Sequence, residues 1–144
     1  MSRRSKGFSR ERELARILWK KGFAVLRAPA SGAKTRRLAY PDLVALKNGI
    51  ILVFEVKTRE KPGIVYIEKK QFMKFMEFIR RSGGYGYIAV KIVDGRGWRF
   101  IPVDKVEETR GGNYKVSLEN IENGLRINDL VKIADRTRSI MEFI

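Results

Sequence analysis

The spacing of apolar residues changes along this chain, and each change marks an element. Leu14, Ile17 and Leu18 recur at helical spacing up to Gly22, Ser9 is placed to cap, and Glu11 and Glu13 lie in the first turn, which predicts a helix over about residues 10–21. Phe23 to Ala28 reads as a short strand. Residues 29–41, PASGAKTRRLAYP, are small or basic and bounded by prolines, so they read as a mobile loop. Asp42–Lys47 and Ile50–Lys57 are strand-like runs around Asn48-Gly49, a strong hairpin signal. Residues 67–82 predict a second helix with an apolar stripe of Phe72, Phe75, Met76 and Ile79, ended by Gly83-Gly84. That stripe, with Phe78 beside it, is either core or a contact between two copies of the chain. Tyr85–Ile92 and Trp98–Val103 read as two more strands joined across Asp94-Gly95. Beyond them the pattern weakens, with Asn128 placed to cap a last helix through Leu130, Ile133 and Ala134. The order α-β-β-β-α-β-β predicts an α/β fold with one mixed sheet and helices packed on it.

Composition narrows the chemistry. A chain of 144 residues, 44% hydrophobic, is the size of one domain and can bury a core. Its net charge of +15 repels itself in a compact fold, so a polyanion is the expected partner, nucleic acid first and an anionic membrane surface second. The longest apolar run, Ile50–Phe54, is too short to span a bilayer, and the start of the chain lacks the apolar stretch of a signal peptide, which reads as an intracellular protein. Cysteine and histidine are absent, excluding disulfides, thiolate nucleophiles, the usual zinc sites and imidazole acid–base catalysis. An enzyme with this composition works with carboxylates, Lys, Arg, hydroxyls and a hard metal ion. A single glutamine and 33% charged residues lean towards a thermophilic source.

The hairpin carries the most specific signal. A two-residue loop at Asn48-Gly49 pairs Lys47 with Ile50, and counting outward along both strands sets Asp42 opposite Glu55 on one face. Their Cβ atoms would stand roughly 4.5–5.5 Å apart. Lys57, two residues further on the same strand, reaches the same spot. Opposed acids repel unless a cation lies between them, and hard oxygens suit Mg²⁺ or Mn²⁺. The other reading is a solvated edge with Asp42 starting a turn. Leu43, Val44, Ile51, Val53, Phe54 and Val56 favour a strand covered on both faces, where charges need partners. Glu11 shares the inward face of the first helix with Leu14, Ala15 and Leu18, either as a third acid or as a first-turn residue favoured by the helix dipole.

Pro41-Asp42, then twelve residues, then Glu55-Val56-Lys57 resembles the PD-(D/E)xK signature of the restriction-endonuclease-like nucleases. Together with Lys6-Gly7, Glu11-Arg12-Glu13-Leu14, Gly22-Phe23-Ala24-Val25, Arg27-Ala28-Pro29-Ala30-Ser31-Gly32 and Arg81-Ser82-Gly83-Gly84, it makes residues 5–103 similar to the archaeal Holliday junction resolvases. The resemblance implies a restriction-endonuclease-like α/β fold, a central mixed five-stranded sheet flanked by helices. It implies one nuclease domain over residues 1–144, with the tail from 104 to 144 less defined. It further implies Mg²⁺, replaceable by Mn²⁺, held by Asp42 and Glu55 with Glu11 assisting, and Lys57 positioning the attacking water or meeting transition-state charge. Ser31 of the loop is implied in activity, Arg12 and Arg27 in DNA contact, and Gln71 and Lys91 in DNA contact near the site. The family forms homodimers.

The reaction implied is metal-dependent hydrolysis of DNA phosphodiesters, with paired nicks that resolve a four-way junction in the nucleoid. Two nicks require two active sites facing one substrate, which a two-fold dimer supplies. Junction recognition without fixed sequence puts contacts on phosphates, and Lys34, Arg36 and Arg37 of the basic loop suit that role, unless the loop is simply solvated surface. Two rival readings stand beside this one. One is a related nuclease acting on flaps, ends or single strands; the other is a basic DNA-binding or ribosome-associated protein without catalysis.

Overall fold

A computed structural model describes residues 3–28 and 39–142. Along the chain run α1 (Arg3–Lys20), β1 (Ala24–Arg27), β2 (Leu43–Lys47), β3 (Ile50–Arg59), β4 (Val65–Ile67) and α2 (Lys69–Ser82). They are followed by β5 (Tyr85–Ile92), β6 (Gly97–Pro102), a 3-10 turn at Val103–Lys105, β7 (Glu107–Glu108), β8 (Tyr114–Val116), α3 (Leu118–Glu122) and α4 (Ile127–Glu142). Five strands in the order β1-β2-β3-β5-β6 form the main sheet, and three short ones, β4-β8-β7, form a second. In the main sheet β3 pairs with β5 in parallel and the other pairs are antiparallel, so the sheet is mixed, as expected.

The hairpin turn forms for a local reason. Asn48 and Gly49 take φ of 54° and 79°, the positive pair that a two-residue turn matched to strand twist requires. Lys47 pairs with Ile50, and the register holds out to Leu43 opposite Phe54. Side-chain alternation along β3 then divides its residues between two cores. Leu52 and Phe54 enter one with Leu14 and Leu18 of α1 and Leu130 and Ala134 of α4. Val53 enters the other with Phe72 and Phe75 of α2, Val65 and Ile67 of β4, Val116 of β8 and Ile121 of α3. Phe54 is fully buried, packing against Tyr87 and edge-on to Phe100 at centroid distances of 5.9 and 5.6 Å.

Several expectations are corrected by this arrangement. Helix α1 begins at Arg3, so Ser9 lies inside it instead of capping it. Each further residue adds a hydrogen bond to a helix already anchored by Leu14 and Leu18, which favours extension past a residue able to cap. Asn128 is also internal. Helix α4 starts at Ile127, and Asp129 reaches back to accept the Arg126 N–H at 2.8 Å. The Phe72 and Phe75 stripe is core, with Phe72 packed on the Tyr114 ring at 4.1 Å, and Met76, Phe78 and Ile79 pack against the same cluster. A contact between copies cannot use those two buried rings. The tail beyond 103 is structural: β8 and α3 cover one sheet face and α4 the other. Its elements are two to five residues long before α4, too short to show a period.

Two glycines after α2 have separate duties. Gly83 ends the helix with φ of 69° and donates its N–H to the Ile79 carbonyl. Gly84 lets the chain pass β3 so closely that a Cβ there would stand 2.9 Å from the Ile51 carbonyl oxygen. Backbone held in the β3–β5 ladder cannot move aside, so Gly84→Ala is expected to cost about 1–3 kcal/mol. A lower denaturant midpoint with an unchanged slope is the expected readout.

Candidate active site

Asp42 ends the extended stretch just before β2, where the hairpin register carries it to Glu55. Its Oδ2 accepts the Val56 N–H at 2.8 Å, which turns the carboxylate over the end of the ladder, and the Asp42 and Glu55 carboxyls hydrogen-bond to one another. Glu55 is 3% exposed and is the buried charged residue among those described. Its Oε2 accepts from Gln71 Nε2 at 2.9 Å, and Gln71 Oε1 accepts from Lys57 Nζ at 3.0 Å. Gln71 on α2 therefore links the acid and the lysine of β3 through the two ends of one amide. No buried side-chain polar atom among the described residues lacks a partner.

These contacts raise the proton affinity of the acids. Burial pushes Asp42 up, against the pull of the Val56 N–H, the shared hydrogen bond and Lys57. Burial and then the charge of Asp42 push Glu55 well up, with Lys57 opposing. Glu11 reaches Asp42 from α1, on the other side of the sheet. Burial, and next the Asp42 charge, push it up to about 7 while Arg27 draws it down. Two carboxyls this close titrate as a pair.

Buried, like-charged, hard-oxygen donors fit a divalent cation, whose charge would offset theirs. Among the described residues no three acid, His or Cys side chains converge closely enough to hold an ion by themselves. The donor set is thus the pair Asp42 and Glu55, with Glu11 near Asp42 but outside a ready-made triad. This suits Mg²⁺, which keeps several waters and needs only one or two carboxylates beside substrate phosphate.

The pair opens into a cleft of about 270 Å³ lined by Tyr40, Asp42, Glu55, Glu68, Lys70, Gln71 and Lys74. Lys70, Gln71 and Lys74 share one face of α2, and the helical spacing of these polar residues opposite Phe72 and Phe75 was the signal that could have marked Lys70 and Lys74 from sequence.

The remaining candidate residues divide. Arg27 stands on β1 opposite Leu43, beside Asp42, and Arg12 is exposed on α1. Lys91 lies on the opposite sheet face from Glu55. It pairs with Glu13 at 2.9 Å and sits over the Trp98 ring at 5.8 Å. Glu13 also accepts from Trp98 Nε1 at 3.1 Å and from Arg10 at 2.7 Å. Burial raises the Glu13 pKa, but the hydrogen bonds from Lys91, Arg10 and Trp98 outweigh it and hold the carboxyl below its ordinary value. Sequence marked Glu13 as a first-turn acid but not its tie across the fold, because Lys91 and Trp98 are about 80 residues away. Ser31, Lys34, Arg36 and Arg37 lie outside the described residues.

A mixed five-stranded sheet flanked by helices, with opposed acids beside a strand lysine, defines the restriction-endonuclease-like class. A sequence model described as archaeal Holliday junction resolvase (Hjc) matches residues 2–139. The chain belongs to that family. It is 45% identical over 134 residues to the crossover junction endodeoxyribonuclease Hjc of Sulfurisphaera tokodaii, covering 93% of this chain and 91% of the relative. It is 38% identical over 135 residues to the protein of the same name from Sulfolobus acidocaldarius, covering 94% and 92%. The solved structure of Archaeoglobus fulgidus Hjc, a Holliday junction resolvase, superposes with a TM-score of 0.72 at 33% identity, covering 83% of this chain and 93% of that one.

The raised Glu11 pKa sets a pH dependence. Between its ordinary value of 4.5 and about 7 the folded chain holds a proton that the unfolded chain releases. Stability contributed by this group is therefore full below the unfolded value and declines as pH rises through that window. In chelator, denaturant midpoints are expected to fall from pH 5 to pH 8, and Glu11→Gln should narrow the difference.

Proposed function

We propose that this chain resolves four-way DNA junctions by metal-dependent phosphodiester hydrolysis, with Asp42, Glu55 and Lys57 as its catalytic residues and Mg²⁺ as its ion. The observation that carries the reading is the burial of Glu55 against Asp42 at the head of a cleft whose other walls supply Lys70 and Lys74. When bound, a divalent ion supplies Lewis-acid polarisation of the phosphate and a lowered pKa for the attacking water. Asp42 and Glu55 would hold it. Gln71 fixes the Glu55 carboxylate through its amide N–H and orients Lys57 through its carbonyl, so that the ammonium can meet charge developing on the phosphate or hold the water. Water attacks phosphorus, the bond to the 3′ oxygen breaks, and a 5′ phosphate is left.

The basic lining of α2 draws the phosphate backbone in and speeds encounter at low salt. Arg12 and Arg27 add to that charge, and the DNA-contact role of Lys34, Arg36 and Arg37 and the part of Ser31 in activity rest on the sequence. Two nicks of like polarity call for two such sites, and a homodimer is the simplest source. No described helix is long and apolar enough to cross a membrane, and DNA is the partner that the charge fits.

Glu55→Gln is expected to keep junction binding in the absence of metal while cleavage in Mg²⁺ falls at least about 100-fold; undiminished cutting would remove Glu55 from the site. Gln71→Ala should raise the Mg²⁺ concentration needed for half-maximal cleavage by about 10- to 100-fold. A four-way junction compared with linear duplex and flap at one salt concentration tests the substrate. Paired symmetric nicks in the junction are expected, and faster cutting of flap or duplex would favour the related-nuclease reading.

A further inference from the structure

A second concavity lies between α1 and the edge strand β1. It is about 370 Å³ in volume and is lined by Ala15, Arg16, Trp19, Lys20, Val25 and Arg27. Three of these are cations and none is acidic. Trp19 is 67% exposed, whereas the other tryptophan of the chain, Trp98, is 6% exposed and bonded to Glu13. Ala15 and Trp19 lie one helical turn apart, as do Arg16 and Lys20, so the ring and the two charges line adjoining rows of one helix face. The groove lies on the α1 face of the sheet, with Arg27 at the end of edge strand β1.

A bare indole among cations calls for a ligand with both negative charge and a flat apolar face. A second copy of the chain is a poor occupant. A two-fold contact would set Arg16, Lys20 and Arg27 against their own copies in a protein already at +15. A DNA strand answers both features, with phosphates for the cations and bases that can stack on the ring.

We propose that the groove between α1 and β1 binds a DNA strand, with Arg16, Lys20 and Arg27 on its phosphates and Trp19 stacked on an exposed base face. This rests on the junction-binding reading above and adds to it a site that distinguishes opened from continuous duplex. Bases inside a continuous duplex present only their edges, so Trp19 gains a partner where continuous stacking is interrupted, as at a branch point or in single strands.

The test uses the full chain in chelator, so that binding is read without cleavage, with an immobile four-way junction and a duplex closed by hairpin loops at both ends. The junction is expected to quench tryptophan emission, and Trp19→Phe should abolish that quench because Trp98 is enclosed. Trp19→Ala should weaken junction binding about tenfold and duplex binding less than twofold, with Trp19→Phe intermediate. Arg16→Ala should weaken both substrates and lower the salt slope by about one. Equal loss of junction and duplex affinity in Trp19→Ala, or emission unaltered by a junction that binds, would overturn the stacking assignment alone. Emission changes with anionic phospholipid vesicles but not with DNA would assign the groove to a membrane surface instead. Wild-type protein that binds no junction would overturn the underlying functional reading as well.

Discussion

A carboxylate in the middle of a covered sheet is the constraint around which the rest is arranged. Glu55 follows Val53 on its face of β3, and Val53 is fully buried, so the acid emerges from an apolar core directly into contact with Asp42. Isolated, such a charge is too costly to bury. It is tolerated because Gln71 donates to it, Asp42 shares a hydrogen bond with it and Lys57 stands behind the same amide. The positive φ angles of Asn48 and Gly49 secure this geometry from the other end of the hairpin. A slip of one residue would turn Glu55 towards α1 and Phe54 towards α2.

The two faces of the sheet carry separate polar networks with opposite electrostatics. On the α2 face, burial raises the pKa of both acids and the charge of Asp42 adds to it at Glu55, a strain that a divalent ion would relieve. On the α1 face, Glu13 is surrounded by Lys91, Arg10 and the Trp98 indole and stays ionised. The second network ties α1 to β5 and β6 across the sheet, and so holds Glu11, two residues earlier on the helix, at the level of Asp42. Lys91 thereby serves this network and does not face Glu55.

The tail closes the two cores. Val116 and Ile121 complete the layer over β3 and β5 on the α2 side, while Leu130 and Ala134 cover Phe54 and Phe100 on the other. Lys47 of the hairpin pairs with Asp135 at 3.1 Å and donates to the Lys21 carbonyl, joining α4, α1 and the turn. The rigid backing of β2 and β3, on which the acid pair depends, therefore comes from residues far along the chain.

What the sequence by itself determined was local or followed from a short-range register. Helical spacing marked Leu14 and Leu18, alternation and Asn48-Gly49 marked the hairpin, and counting from that turn brought Asp42 to Glu55, because pairing across a two-residue loop leaves no freedom. Element order supplied the mixed sheet, and family resemblance supplied its five strands and a place for Gln71 near the site. Tertiary structure alone decided that Gln71 bridges Glu55 to Lys57, that Lys91 turns to Glu13, that Phe72 and Phe75 face inward, and that β8 pairs with β4. Each of these joins residues from different elements, and their relative placement is set by packing of whole faces, which no single stretch of chain encodes.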